Sequence, residues 1–149
     1  MADSVLRDKA KQFAKNIVFL CREIKSIHKE AVLVNQLLRS ATSVGANLHE
    51  AQYAQSKNDF ISKLQIALKE CYESEYWLEL LNRTGYIDAE QYKLIINNCG
   101  QIRRMLISSI SSGVASAMPN ASARSQIISK SASRFFSDSF FESSSPSIT

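Results

Sequence analysis

The chain has 149 residues, 45% of them hydrophobic and 21% charged, with four glycines and two prolines. That is one domain of ordinary globular composition, and so few breakers point to long uninterrupted helices rather than short strands joined by turns. Three widely spaced cysteines, Cys21, Cys71 and Cys99, argue against a disulfide framework or a zinc motif; charges at Arg7, Asp8, Lys9 and Lys11 argue against a signal peptide, and no run of about 18 apolar residues exists to span a membrane, so the expected setting is a reducing cytoplasm.

The net charge of +4 is unevenly placed. Residues 1–29 hold seven basic residues against three acidic ones, which accounts for all of it. A basic first segment on a neutral body points to an anionic partner for that segment.

The first predicted helix runs from about Asp3 to His28. Leu6, Ala10, Phe13, Ile17, Leu20, Ile24 and Ile27 recur at alternating steps of four and three, a heptad seam that Ala14, Val18 and Cys21 widen on one side. Lys11, Lys15, Arg22, Lys25 and Lys29, with Val18 filling the gap, form a basic ridge along one side of the helix. At 1.5 Å per residue the ridge is about 27 Å long. Two readings stay open: a track for a nucleic-acid backbone that displaces counterions, or a solvated helix face, since no aromatic residue is interleaved with the charges.

The second predicted helix runs from about Lys29 to Ala54, with Val34, Leu37, Ala41, Val44, Leu48 and Ala51 as its seam. From Ser40 to Ala46 the side chains are almost all small, so this thin helix is expected to lie against neighbours on more than one side. Gly45 inside it costs about 1 kcal/mol relative to Ala, with close packing as the expected compensation. Gln36, Ser40, Ser43, Asn47 and Glu50 make a polar stripe about 100° from the seam, and Arg39 lies on a face similar to that of Glu50 about three turns away. Short hydrogen-bonding groups in place of the usual Lys and Glu favour a packed polar interface, structural or between subunits, over a ligand site.

The third helix opens at Ser56-Lys57-Asn58-Asp59, a capping box with Asp in place of Glu. Its seam is Phe60, Leu64, Ala67, Cys71, Leu78 and Leu81, with Ile61, Leu68, Trp77 and Leu80 as a second stripe, and Gly85 caps its end. The fourth starts at Asp88, with Gln91 three residues on, and turns Ile95, Cys99, Ile102, Leu106 and Ile110 inward beside Tyr92. Short connections make successive helices antiparallel neighbours, so residues 1–112 are expected to form an all-α, up-down-up-down four-helix bundle. Residues 113–149 read as a separate Ser-rich tail: 14 of the 39 residues from 111 onward are Ser, the composition of a disordered segment. The helical spacing of Ile128, Ala132, Phe135 and Ser139 leaves open a short amphipathic helix formed on contact with a partner.

Nothing in this pattern arms a reaction. Bundle di-metal sites are built on Glu-x-x-His, and neither His28 nor His49 follows a Glu by three. Glu70 and Glu73 share a face without a histidine, and read as a solvated acidic surface with Glu75 and Glu79. The cysteines fall on core positions, where a thiol is inert, and the scattered glycines form no phosphate loop. The expectation is no catalytic residue, no metal and no cofactor.

The run from Gln36 to Ala51, QLLRSATSVGANLHEA, resembles the signature of the bacterial four-helix-bundle proteins encoded in intervening sequences of 23S ribosomal RNA. The stretches Phe60–Cys71 and Glu73–Leu78 are similar to the same family, and the likeness covers roughly residues 5–110. Ala51 stands where many members have Gly, and the tail lies outside the family pattern. The resemblance implies an antiparallel bundle that assembles as a homopentamer. It relates the chain to the accessory variability determinant of diversity-generating retroelements, which binds nucleic acid and a reverse transcriptase through basic surfaces. It supplies no catalytic residues, and its signature positions Gln36, Arg39, Ser43, Asn47 and Glu50 coincide with the polar stripe. The expected function is therefore a non-enzymatic oligomeric bundle that binds RNA or DNA through helix 1, with a nucleic-acid-processing protein as an expected further partner. The alternative is a protein-binding scaffold or accessory subunit.

Overall fold

The computed structural model describes residues 2–115, with side chains over residues 4–113. Four α-helices follow in order: α1 (Ala2–His28), α2 (Val32–Ala51), α3 (Lys57–Arg83) and α4 (Ala89–Ala115). No strand occurs among the described residues. The expected tail begins where α4 is still helical, and the rest of it, residues 116–149, lies outside the described residues along with the Ile128–Ser139 spacing.

Local chemistry sets the helix ends. Lys29 adopts φ 58°, which no continuing α-helix tolerates, and its ammonium donates to Ser26 O at 3.0 Å, satisfying one of the last carbonyls of α1. The Glu30 carboxylate accepts from the Leu33 amide at 2.8 Å, so α2 starts at Val32 and not at Lys29. Ser56 accepts from Asp59 N at 3.1 Å, while the Asp59 carboxylate accepts from Gln55 N, a capping box displaced by one residue. At the end of α3 Gly85 takes φ 79°, with Tyr86 N donating to Leu81 O at 2.9 Å and Gly85 N to Asn82 O at 3.1 Å. That pair of bonds is a Schellman motif. Asp88 accepts from Gln91 N at 2.8 Å and opens α4.

Each helix meets the next, and the last meets the first. The Cys21 thiol donates to Val34 O between α1 and α2, the Ser74 hydroxyl to that of Ser40 between α2 and α3, and the Cys99 thiol to Cys71 O between α3 and α4. Lys9 of α1 donates to Gln101 of α4 at 2.9 Å. The result is the antiparallel four-helix bundle, within a compact unit of Met1–Ile110. Its core holds most of the seam residues of the four helices, with Phe13, Ile17, Leu37, Leu78 and Ile102 fully enclosed. Each such side chain contributes about 1.5–3 kcal/mol relative to exposure.

Two further expectations fail. Ile27 was the last member of the α1 seam and is 64% exposed. In its column, spaced by seven, exposure runs 1% at Leu6, 1% at Phe13, 6% at Leu20 and 64% at Ile27. A straight helix drifts about 20° per heptad from a strict seven-residue repeat, and by the fourth heptad the column has turned out of the core. Gly45 is also not closely packed: a Cβ there would meet nothing within 4 Å.

Candidate nucleic-acid interface

The basic ridge divides into two parts. Lys11, Lys15 and Arg22 are exposed on α1, and among the described residues no ion pair engages Lys11 or Lys15. Lys25 is half-buried, with its ammonium donating to Asn35 of α2 at 2.6 Å. Lys29 lies past the end of α1 and folds back on Ser26. Three of the five predicted cations therefore stand outward on one helix, and two are engaged at the α1–α2 corner. The expectation that no aromatic residue is interleaved with these charges fails at Phe19, which lies off the seam between Lys15 and Arg22. It is 54% exposed, and the Arg22 guanidinium sits 5.8 Å from its ring centroid. The signal was available in the spacing, since Lys15, Phe19 and Arg22 are neighbours at steps of four and three.

The polar stripe of α2 faces α3 for part of its length. Arg39 hydrogen-bonds and ion-pairs with Glu73 and lies 3.6 Å from Glu70, and Trp77 Nε1 donates to Glu73 at 3.2 Å. Burial pushes the Glu70 carboxyl above its usual range, against the pull of Arg39; one of its oxygens is enclosed without a hydrogen-bond donor. Burial acts the same way on Glu73, but the bonds from Arg39 and Trp77 outweigh it and hold that carboxyl below its usual range. Glu50 pairs with Lys63 of α3 at 2.5 Å. Asn47 and Ser43 are half-buried, the Asn47 amide donating to Ser43 O at 2.9 Å, while Gln36 is exposed. Arg39 and Glu50 thus tie α2 to α3 within one chain, and Glu70 and Glu73 are partners of that tie rather than a free acidic surface.

Between α3 and α4 lies an open groove of about 800 Å³, lined by Glu75, Glu79, Tyr92, Lys93, Arg103 and Arg104 among others. Charges of both signs line it, and Arg103 is already paired with Glu75 at 2.9 Å and set 5.5 Å from the Tyr72 ring. The three thiols are buried. Burial pushes that of Cys21 up to about 11, and the bond to Cys99 together with burial pushes that of Cys71 up as well, so both stay protonated at neutral pH. Among the described residues, no group of three or more His, Cys, Asp or Glu side chains is placed to hold a metal ion, and no helix is long and apolar enough to cross a membrane.

No curated protein matches the sequence. A crystal structure of a protein of unknown function from the S23 ribosomal protein family of Bacteroides thetaiotaomicron VPI-5482 is 54% identical over 74% of this chain and 98% of that one, with a TM-score of 0.73. The model of the family described as 23S rRNA-intervening sequence protein matches residues 2–108, which takes in α1, α2, α3 and most of α4. With the four helices, the Gln36–Ala51 run and this match in agreement, the chain belongs to the 23S rRNA-intervening sequence protein family.

Proposed function

We propose that the protein works without catalysing a reaction, binding RNA or DNA through the basic outward side of α1 as a cytoplasmic homo-oligomer, a pentamer on the family likeness. The observation that carries this reading is the exposed trio Lys11, Lys15 and Arg22, which lies along one side of α1 in the segment that holds the whole net charge. Cations so placed attract a polyanion at long range and release its counterions on contact. Repetition of the ridge in a ring would multiply a weak contact by avidity. The polar stripe of α2 serves this assembly as scaffold, with Gln36 outward and Ser43 and Asn47 half-covered.

The test is binding of a labelled RNA by the full chain across a salt series, with light scattering to count subunits. Affinity is expected to fall steeply with salt and to weaken in the Lys15→Glu, Arg22→Glu, Lys25→Glu triple variant. Unchanged binding in that variant removes the ridge from the function.

A second reading rests on a different surface. Ile66, Tyr72 and Tyr76 of α3 are 40%, 42% and 58% exposed, and Leu94 of α4 is 65% exposed. Those apolar groups support a protein-binding scaffold or an accessory subunit of a nucleic-acid-processing protein. Under that reading the purified protein carries no nucleic acid by absorbance ratio, and alanine at Tyr76 and Leu94 abolishes partner binding while the α1 charges are dispensable.

A further inference from the structure

We infer that the basic face of α1 is built for single-stranded nucleic acid, with Phe19 and the Arg22 guanidinium forming a platform on which an unpaired base stacks while Lys15 and Lys11 hold the adjoining phosphates. This rests on the nucleic-acid reading above and narrows its ligand. A ridge of lysines alone is indifferent to strandedness, because duplexes and single strands both present phosphates. Phe19 breaks that indifference. It is a large apolar ring, 54% exposed, on the flank of the charged ridge, four residues after Lys15 and three before Arg22. The Arg22 guanidinium, 5.8 Å from the ring centroid, adds a second flat surface that stacks on bases and carries charge. In a duplex the faces of the bases are closed against one another, and the ring finds no partner there. In a single strand every base has a free face, which is why aromatic side chains set among cations are the usual equipment for binding one.

The surroundings of the ring fit the same ligand. One turn before Phe19 lies Asn16, which accepts from the Gln12 amide at 2.9 Å. The two amides offer hydrogen bonds to the edge of a base seated on the ring. Glu23, four residues past Phe19 and exposed, bounds the basic area on its far side. Lys25 and Lys29 are tied to Asn35 and Ser26, so the strand is met by the earlier part of the ridge.

The experiment measures fluorescence anisotropy of a labelled oligouridine and of a fully paired RNA duplex of the same length with the full chain, its Phe19→Ala and Phe19→Trp variants, and Lys15→Glu. Phe19→Ala is expected to weaken binding of the single strand about tenfold and to leave the duplex within about twofold, with the salt dependence unchanged because no charge is removed. Phe19→Trp keeps the wild-type affinity for the single strand. If Phe19→Ala leaves the single strand unaffected while Lys15→Glu weakens it, the platform is refuted and the basic ridge stands. If the wild-type chain binds neither probe, both readings fall. If Phe19→Ala changes the subunit number by light scattering, the ring is covered by a second copy and the inference is wrong.

Discussion

The hydroxyls of Ser40 and Ser74 meet at 3.0 Å across the α2–α3 seam, and both side chains are fully buried. Each also reaches a carbonyl of its own helix, Ser40 that of Leu37 at 3.2 Å and Ser74 that of Glu70 at 2.8 Å. With two protons and three acceptors the pair is satisfied inside the core, which lets two polar residues occupy seam positions at little cost. Either Ser→Ala change leaves the remaining hydroxyl a carbonyl to bond, so each single variant is expected to lose about 1 kcal/mol. The double variant is expected to lose less than the sum, by about 0.5 kcal/mol or more. Chemical denaturation of all four proteins measures this. Strict additivity means that the two hydroxyls do not interact.

Gly45 gives a second expectation, opposite to the one its sequence context invites. Since a Cβ there would meet nothing within 4 Å, Gly45→Ala gains helix propensity without a clash. The expected effect on the single chain is a stabilisation of up to about 1 kcal/mol. A loss of stability, or a change in subunit number by light scattering, would mean that another chain fills the notch beside Gly45, and would place the small-residue run of α2 at a subunit contact.

Glu70 and Glu73 share Arg39 but titrate in opposite directions. The Glu70 carboxyl is held above its unfolded value, so its favourable contribution is present in acid and is lost as pH rises through its folded value. The Glu73 carboxyl is held below its unfolded value, so its contribution is present at neutral pH and is lost as pH falls through its folded value. Glu70→Gln is therefore expected to raise the melting temperature at neutral pH and to lose that advantage near about pH 4, where the wild-type group is protonated too. Glu73→Gln is expected to lower the melting temperature at neutral pH and to matter little in acid. Thermal melts at both pH values decide it, and two variants that move together contradict the assignment.

The four helices were legible because alternating steps of four and three survive in the sequence wherever a helix face is buried, as they do from Val34 to Ala51. The cap at Ser56, the terminator Gly85 and the start at Asp88 were legible because each rests on local bonds between residues within five positions. What failed depends on geometry that no local pattern records. Ile27 has the right spacing but the wrong orientation, since drift accumulates over the full length of α1. Lys25 looks like a free cation until the turn at Lys29 brings Asn35 opposite it. Glu70 and Glu73 read as surface because their partner, Arg39, is more than 30 positions away and meets them only when α2 packs on α3. Phe19 could have been found from its spacing to Lys15 and Arg22, but its exposure and the approach of the Arg22 guanidinium show only in the packed bundle.

That same division predicts a graded response along the ridge. Lys25 gives its ammonium to Asn35, and Lys29 gives its own to Ser26, so a strand bound to α1 recruits them only by breaking those bonds. Lys11, Lys15 and Arg22 carry no such cost. Each phosphate contact contributes a slope of about −0.7 to −0.9 in log K against log salt. Removing charge at Lys11, Lys15 or Arg22 by change to Gln is therefore expected to flatten the salt dependence by about that amount per residue. The same change at Lys25 or Lys29 is expected to leave the slope nearly as it was. Lys25→Gln instead loosens the α1–α2 corner by breaking its bond to Asn35, an effect visible in a thermal melt and not in binding. If all five positions flatten the slope equally, the strand runs the whole length of the helix and the corner bonds give way to it.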